Sequence, residues 1–427
     1  MAHRRRSRCA LYSHSGALWL TYHFSSRSKE AEVPGLHSHI DPDGLLEYSV
    51  VFTDRSLNHM SERFRDIMKH LSGTLKTTYG AEAVAVVPGG GTYAMEAVAR
   101  QFGTGKRCLV IRNGWFSYRW TQIFEAGGIP SAETVLTARP VADGPQAAFA
   151  PPPISEVTAA IAAERPEVVF APHVETSAGI LLPDGYLRAV ADATHAVGGL
   201  FVLDSIASGA MWVDMRDCGV DVLLSAPQKG WSGSPCAGLV MLGPDALARM
   251  EPADNTSFSC DLLRWLHVMK SYEEGGHTYH ATMPTDALRM LHDATVELQA
   301  FGLERARERQ RQLGDRIRAI LAERGFRSVA APGFEAPGVV VCYTDDPEIR
   351  QGTAFARAGV QIAAGVPLQC GEPDGFSTFR IGLFGLDKLG HVDRTVDTFA
   401  AALQQVLEGE GAGAADAATP APEPAAI

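Results

Sequence analysis

An acid and a lysine follow two neighbouring apolar runs in the middle of this 427-residue chain. Asp204 ends the run that begins at Leu200, and Lys229 follows the run 220–224 within the sequence SAPQKG. Short apolar runs predict buried strands, and polar residues at strand ends line ligand sites in parallel sheets. A lysine can form a Schiff base with an aldehyde, and a nearby acid can keep a pyridine nitrogen protonated. The pair is therefore typical of pyridoxal phosphate chemistry.

A glycine-rich turn lies earlier in the chain. Residues 83–87 predict a strand, residues 88–92 read PGGGT, and a helical pattern follows. The N–H groups at a helix N-terminus attract anions, and glycine lets a phosphate approach the backbone closely. The turn fits a phosphate site, although a tight strand–helix turn without any ligand has the same pattern.

Predicted strands and helices alternate from residue 83 to residue 242. The further runs and helical stretches are 107–112, 154–164, 168–171 and 186–197. This alternation predicts an α/β fold with a mostly parallel sheet that is covered by helices on both faces. Because ligands bind at the carboxyl ends of such strands, the glycine turn, Thr176, Asp204 and Lys229 should meet at one edge.

An aromatic cluster follows the strand predicted at 107–112. Its members are Trp115, Phe116, Tyr118 and Trp120. Aromatic rings at a strand end can form the wall of a pocket for a flat ring, or they can pack into the core beneath the next helix. For Trp120 we favour the core position.

The second half of the chain predicts a smaller unit. A helical tract spans residues 286–324 and contains Gly302, at which it can break, and strands are predicted at 338–344 and 379–381 before a helix at 391–407. Four regions follow from this pattern. They are an N-terminal extension expected to be disordered (1–47), a large domain (48–300), a small domain (301–408) and a disordered tail rich in Ala and Pro (409–427).

Bulk composition limits the class of protein. The chain has 46% hydrophobic residues and a formal net charge of -11, which fits a globular protein and disfavours nucleic acid as a main partner. Its seven cysteines form no CxxC pair and no metal-ligand spacing, so we expect reduced thiols and a cytoplasmic location. No apolar run approaches the roughly 20 residues that span a bilayer. The basic start fits a disordered or mis-started extension better than a targeting peptide.

Seven motifs carry a resemblance to a known family. In chain order they are GGGTYAMEA, NGWFSYR, HVETSAG, DSIAS, SAPQKG, TYHATMP and FRIGLFG. Over residues 48–408 the chain resembles class V aminotransferases, in the branch of alanine–glyoxylate and serine–pyruvate aminotransferases. The resemblance implies the pyridoxal 5'-phosphate-dependent transferase fold of type I, with a seven-stranded type of sheet in the large domain. It also implies a homodimer with shared active sites.

The resemblance implies a role for each matching residue. Lys229 would bind the cofactor as a Schiff base and move the substrate proton, Asp204 would pair with the pyridine nitrogen, and Arg380 would bind the substrate carboxylate. The other matching residues would contact the cofactor. They are Phe116 and Ile206 on the two ring faces, Thr176 at the ring oxygen, Gly90, Gly91, Thr92 and Gln228 at the phosphate, and Tyr279 and Thr282 at the phosphate from a second subunit. Arg380 could instead be a surface strand residue, and Tyr279 and Thr282 could be loop packing.

The resemblance also implies a reaction. We expect an amino group to move from a small amino acid of the alanine or serine type to a 2-oxo acid such as glyoxylate or pyruvate, in a ping-pong mechanism. The identity of the substrate stays open, because the sequence EYSVVFTDRSLNHMS stands where the family has a substrate loop of another type. A 2-aminoethylphosphonate-type transaminase and a catalytically inactive binding protein are alternatives. A cysteine desulfurase or lyase using Cys370 is a third, disfavoured by Gln-Lys where desulfurases have His-Lys.

Overall fold

The structure is a computed structural model that describes residues 36–250 and 256–409. The remainder of the predicted extension and of the predicted tail lies outside the described residues. Within the extension predicted at 1–47, residues His37–Ile40 form a short helix. In the described part of the chain, no helix is long and apolar enough to cross a membrane.

The helices and strands follow in chain order. The helices are α1 (His37–Ile40), α2 (Glu62–Tyr79), α3 (Gly91–Gly103), α4 (Trp115–Gly127), α5 (Ile154–Glu164), α6 (Asp184–Ala196), α7 (Met215–Cys218), α8 (Pro244–Ala248), α9 (Leu262–Glu273), α10 (Thr285–Phe301), α11 (Leu303–Glu323), α12 (Pro347–Gln351), α13 (Thr353–Arg357), α14 (Leu386–Leu389) and α15 (Val392–Glu408). The strands are β1 (Ala83–Pro88), β2 (Arg107–Arg112), β3 (Ala132–Thr137), β4 (Arg139–Pro140), β5 (Phe149–Ala150), β6 (Val168–Pro172), β7 (Val174–Glu175), β8 (Ile180–Leu181), β9 (Leu200–Asp204), β10 (Val222–Ser225), β11 (Ala237–Leu242), β12 (Val339–Tyr343), β13 (Ala363–Ala364) and β14 (Thr378–Gly382).

A seven-stranded sheet forms the centre of the larger unit, in the order β1-β11-β10-β9-β6-β2-β3. The neighbouring pairs from β10 to β3 are parallel, whereas β11 runs antiparallel to both β1 and β10. Every residue of β6, β9 and β11 is buried, as expected for strands that are covered on both faces. The mostly parallel α/β sheet predicted from the sequence is therefore confirmed.

Helix α2 illustrates how local sequence fixes an element. The Ser61 side chain accepts a hydrogen bond from the backbone N–H of Phe64 and caps the first turn. Gly80 ends the helix in the left-handed conformation, with φ of 68°. Residues at helical spacing, among them Phe64, Met68 and Leu71, are buried, and the ring of Phe64 lies 5.6 Å from that of Tyr272 on α9.

The smaller unit contains a three-stranded antiparallel sheet in the order β12-β14-β13. The helical tract that leads to it breaks at Gly302, whose φ of 99° separates α10 from α11. Helix α15 buries Val392, Val396 and Phe399 and closes this unit. The division into a large domain (48–300) and a small domain (301–408) stays a prediction.

Candidate active site

A cavity of about 430 Å³ lies between the two sheets, at the carboxyl ends of β9 and β10. This volume is in the range of small-molecule sites, roughly 300–1,000 Å³. The cavity is lined by most of the residues that the sequence predicted for the site. They are Gly91, Thr92, Phe116, Thr176, Asp204, Ile206, Gln228, Lys229 and Arg380.

Asp204 enters the cavity from the end of β9. Its neighbour β10 is parallel, with Leu224 opposite Asp204, so the loop after β10 brings Lys229 to the same edge. Burial raises the pKa of Asp204 to about 7, and the nearby Glu175 carboxylate adds to the rise. A hydrogen bond of 3.0 Å from the backbone N–H of Ile206 works in the opposite direction. The site therefore holds an acid that a cationic ligand would stabilise in its ionised form.

Lys229 lines the cavity from the loop after β10, and the end of its side chain lies near Phe384 of the smaller unit. Burial lowers the pKa of its amine, and the positive charge of Arg380 lowers it further. Its Nζ atom is 5.1 Å from the centre of the Phe384 ring. A lysine in these surroundings loses its proton more readily than a free lysine, which makes it a better nucleophile and base.

The glycine turn opens helix α3 beside the cavity. Gly91 is the first helical residue, and a Cβ atom there would lie 2.6 Å from Cδ1 of Ile206. Only glycine therefore lets Ile206 pack in this position. Gly90 is the N-cap, and a Cβ atom there would have nothing within 4 Å. Gly90 is not among the residues that line the cavity, but the backbone beside it faces open space at a helix N-terminus, where a phosphate could bind.

Glu175 is a site residue that the sequence reasoning missed. It is fully buried, and its carboxylate accepts hydrogen bonds from the backbone N–H groups of Phe116, Ser117 and Ser177 at 3.2, 2.9 and 3.0 Å. The hydroxyls of both serines also donate to it, each at 2.7 Å. Glu175 thus caps α4 and fixes Phe116 in the cavity wall. The signal was its place in HVETSAG, directly before Thr176.

Two guanidinium groups flank Phe116. The Cζ atoms of Arg119 and Arg380 lie 5.3 and 5.5 Å from the centre of its ring. Arg380 is on β14, the central strand of the small sheet, and its Nε donates to the carbonyl of Ala364 at 2.8 Å. It lines the cavity, so it is not a surface strand residue in this structure. Arg119 also lines the cavity and was not predicted from the sequence.

Three predicted features lie away from this cavity. Tyr279 and Thr282 are exposed, and their hydroxyls are hydrogen-bonded to each other at 3.0 Å. The unusual segment 47–61 contributes no lining residue among those described. Trp120 is fully buried in the core, as predicted.

Cys370 does not have the surroundings of a nucleophile. Its Sγ lies 3.5 Å from the carbonyl oxygen of Arg112 and 3.6 Å from that of Leu368. Burial, with the nearby Glu175 and Glu372, raises the pKa of the thiol to about 12. Because the thiolate is the reactive form and Cys370 does not line the cavity, the desulfurase alternative is disfavoured.

The residues present fit pyridoxal phosphate. Asp204 is a buried acid that forms no ion pair with any described residue, and Lys229 is an amine with a lowered pKa. Phe116 and Ile206 supply apolar contacts for the two faces of a flat ring. The open helix N-terminus at Gly90 has the chemistry of a phosphate site. When bound, the cofactor supplies an aldehyde and an electron-withdrawing ring for reactions at the α-carbon of amino acids.

Known proteins resemble the chain over most of its length. Residues 45–374 match the family described as aminotransferase class-V. The alanine–glyoxylate aminotransferase of Oryctolagus cuniculus is 25% identical over 362 residues, which cover 82% of this chain and 87% of that protein. A 2-aminoethylphosphonate–pyruvate transaminase of Pseudomonas fluorescens is 29% identical over 357 residues, covering 81% and 89%.

Solved structures have the same fold. The crystal structure of an alanine–glyoxylate aminotransferase from Nostoc sp. superimposes with a TM-score of 0.69 at 23% identity, covering 82% of this chain and 89% of that one. The fold is that of the type I pyridoxal phosphate enzymes predicted from the motifs. With its cavity and the match over residues 45–374, the chain belongs to the class V aminotransferases, which are pyridoxal phosphate-dependent enzymes.

Proposed function

We propose that this aminotransferase moves the amino group of a small amino acid, of the alanine or serine type, to a 2-oxo acid such as glyoxylate or pyruvate. The observation that carries the proposal is the placing of Arg380 beside Lys229 in one cavity whose small-domain wall is otherwise apolar. That wall includes Val339, Ala363 and Phe384. A guanidinium binds a carboxylate in two-pronged fashion, and the apolar wall leaves room for a short, uncharged side chain.

Lys229 is proposed to carry the proton in the reaction. Its lowered pKa favours the neutral amine, which can take the proton from the substrate's α-carbon. Burial is the main cause of the low pKa, and the positive charge of Arg380 adds to it until a substrate carboxylate neutralises that charge. Substrate binding and the basicity of Lys229 are therefore coupled through Arg380.

Asp204 is proposed to hold a proton at the pyridine nitrogen. A buried carboxylate gains most from a cationic partner, because burial otherwise disfavours its charge. Phe116, fixed by Glu175, and Ile206, packed over Gly91, would hold the ring between them. Thr176 would bind the ring oxygen, and Gly90, Gly91, Thr92 and Gln228 would bind the phosphate.

A second copy of the chain is proposed to complete the site. Tyr279 is 53% exposed, and together with Thr282 it would bind the phosphate of the partner subunit. The ring of Tyr279 lies 5.6 Å from that of His59. The His59 ring is 5.5 Å from the ring of Phe52, the last residue of residues 45–52, which we call the N-terminal segment. This segment exposes Leu45, Leu46, Tyr48 and Val50. We therefore propose a homodimer with shared active sites.

The cytoplasm is the proposed location. All six cysteines in the described part of the chain are free, and five of them are buried. Reduced thiols are typical of cytoplasmic proteins.

A 2-aminoethylphosphonate transaminase is the second candidate. A transaminase of that name is as similar to the chain as an alanine–glyoxylate aminotransferase, and the cavity contains a second guanidinium at Arg119. Such a substrate has no carboxylate on the carbon that bears the amine, and its phosphonate lies one carbon further away. The two candidate substrates would therefore place their negative charge at different distances from Lys229, and would use the two arginines differently.

A half-transamination screen tests the proposal. The protein loaded with pyridoxal phosphate is mixed with single amino acids, and loss of the visible absorbance of the aldehyde form is recorded. We expect alanine or serine to convert the cofactor at lower concentrations than aspartate or 2-aminoethylphosphonate. Conversion by 2-aminoethylphosphonate alone would favour the second candidate, and conversion by none would overturn both.

Arg380→Ala supplies the specific control. The concentration of alanine needed for half-conversion should rise about 10- to 100-fold, because a hydrogen bond to a charged group contributes about 1.5–3 kcal/mol. Arg357→Ala removes an exposed arginine that pairs with Glu348 at 2.7 Å, and should leave the concentration unchanged. Equal effects of the two substitutions would argue against carboxylate binding by Arg380.

A further inference from the structure

The phosphate end of the site is short of positive charge. The residues proposed to bind the phosphate, among them Gly91, Thr92 and Gln228, are all uncharged. A phosphate monoester carries a charge of about -1.5 to -2 at neutral pH, and a helix N-terminus offsets roughly half a charge. Placing such an anion in a cavity is costly unless a cation accompanies it. A further cationic group should therefore lie nearby.

Arg119 lies at this end of the cavity. It is on α4, three residues after Phe116, and its Nη1 donates to Oγ1 of Thr92 at 3.0 Å. Thr92 is the second residue of α3, at the glycine turn. The guanidinium also lies over the Phe116 ring, and the distance from Cζ of Arg119 to the ring centre is 5.3 Å. Two contacts thus hold the group beside the proposed phosphate position.

The charge of Arg119 is not neutralised by an acidic side chain among the described residues. No carboxylate in residues 36–250 and 256–409 forms an ion pair with it. Its positive charge acts on the cavity, since it opposes the rise in the pKa of Asp204. A guanidinium has five N–H donors, and the bond to Thr92 takes one of them.

We propose that Arg119 is the cationic partner of the cofactor phosphate. The inference rests on the proposed phosphate site. It assigns different binding roles to Arg119 and Arg380, the two arginines beside Phe116. Arg380, which lines the cavity near Lys229, binds the substrate carboxylate. Arg119, which is hydrogen-bonded to Thr92, binds the phosphate. Two other readings are a structural link between α3 and α4 and a second substrate-binding cation.

Pairs of ligands that differ only in the phosphate test the proposal. The cofactor-free protein is titrated with pyridoxamine 5'-phosphate and with pyridoxamine, which bind without a covalent bond, and protein fluorescence reports the dissociation constants. In Arg119→Gln we expect a 10- to 100-fold loss of affinity for the phosphorylated ligand and a change below about threefold for pyridoxamine. The affinity of Arg119→Lys for pyridoxamine 5'-phosphate should lie between that of the wild type and that of Arg119→Gln. Lysine keeps the positive charge but lacks the forked N–H donors of the guanidinium.

Controls separate the alternatives. Arg139→Gln removes an exposed arginine paired with Glu156 at 2.7 Å and should change neither constant. Inorganic phosphate should raise the melting temperature of the wild-type protein and of Arg119→Lys more than that of Arg119→Gln. This comparison needs no activity and shows whether each variant is folded.

Three outcomes would overturn the assignment. An equal loss for both ligands would indicate a structural link between the helices. Unchanged affinity for pyridoxamine 5'-phosphate, with a selective loss of 2-aminoethylphosphonate turnover, would assign Arg119 to the substrate. If the wild-type protein bound both ligands equally well, the proposed phosphate site itself would be contradicted. A protein that passes this comparison but converts neither alanine nor serine would contradict the proposed substrates and leave the role of Arg119 intact.

Discussion

Asp204 is held at the end of β9 in surroundings that oppose its ionisation. Burial is the main cause, and the Glu175 carboxylate, fixed by five hydrogen bonds at the start of α4, adds to it. The rise in its pKa from 3.8 to about 7 corresponds to about 4 kcal/mol. The cofactor-free protein therefore carries an unfavourable group that the cofactor is proposed to stabilise.

Asp204→Asn should stabilise the cofactor-free protein while abolishing most activity. The folded protein holds the Asp204 proton more tightly than the unfolded chain, so this contribution to stability is complete below about pH 4 and is lost as the pH rises to about 7. The variant should unfold at a higher temperature than the wild type at pH 8, and the difference should shrink towards pH 4. A pH-independent difference in melting temperature would contradict this explanation.

At the residue scale, the sequence predicted most of the residues that line the cavity, Asp204, Lys229 and Arg380 among them, whose reactive roles stay predictions. Asp204, Lys229 and Arg380 could be found because their types and motifs carry chemistry. Glu175 and Arg119 lie within the motifs HVETSAG and NGWFSYR but were missed, because their roles depend on tertiary contacts across 58 and 27 positions of the chain. A glutamate in a strand and an arginine in a helix look like solvated surface residues until those contacts are known.

At the element scale, the site depends on how closely α3 approaches the loop after β9. Gly91 allows Ile206 to lie against the first turn of α3, where a Cβ atom would come within 2.6 Å of it. Gly73 offers a matched position inside α2, since it is exposed and a Cβ atom there would meet nothing within 4 Å. Substituting each of these glycines by alanine therefore distinguishes the effect of helix propensity from the effect of close packing.

Gly91→Ala should weaken cofactor binding, because the added methyl group displaces Ile206 into the cavity. We expect the dissociation constant for pyridoxamine 5'-phosphate to rise about 10-fold or more. Gly73→Ala should leave that constant unchanged and stabilise the fold by up to about 1 kcal/mol through helix propensity. Titrations and thermal unfolding measure both effects. Equal affinity in the two variants would show that the close approach at Gly91 is not needed.

The elements with regular patterns were predicted well, and those with weak patterns were not. The limits predicted for β2 and α5, residues 107–112 and 154–164, agree with the structure. Strand β3 was missed because it lies at the sheet edge and is only half buried, so its sequence AETVLT lacks an apolar run. Helix α9 was missed although Leu262, Trp265 and Leu266 carry a helical spacing. The antiparallel direction of β11 depends on strand pairing that no local pattern encodes.

At the scale of the whole molecule, the N-terminal segment (residues 45–52) exposes apolar side chains, and its Phe52 contacts His59, which in turn contacts Tyr279. Tyr48 is 92% exposed, and Leu45 and Leu46 are 89% and 69% exposed. Contiguous exposed apolar groups on a globular protein mark interaction surfaces. A second copy is the proposed partner, because Tyr279 and Thr282 would then reach a cofactor phosphate.

Substituting both Leu46→Asp and Tyr48→Asp should convert the dimer to a monomer, because two buried charges would oppose association. The monomer should also bind pyridoxamine 5'-phosphate more weakly, since it lacks the partner's hydroxyls. Val141→Asp changes an exposed apolar residue on another part of the surface and should have neither effect. Light scattering after size exclusion gives the mass. A monomeric wild-type protein with full affinity would contradict the shared site.

Covalent capture of the cofactor tests the central claim most directly. The wild-type protein is loaded with pyridoxal phosphate, reduced with borohydride and digested, and the peptides are weighed by mass spectrometry. The proposed site predicts that the reduced cofactor is attached to the peptide containing Lys229, and that Lys229→Ala has no labelled peptide and no visible absorbance after desalting. Attachment to another lysine in the wild-type protein, or none at all, would contradict the assignment of this cavity as the active site.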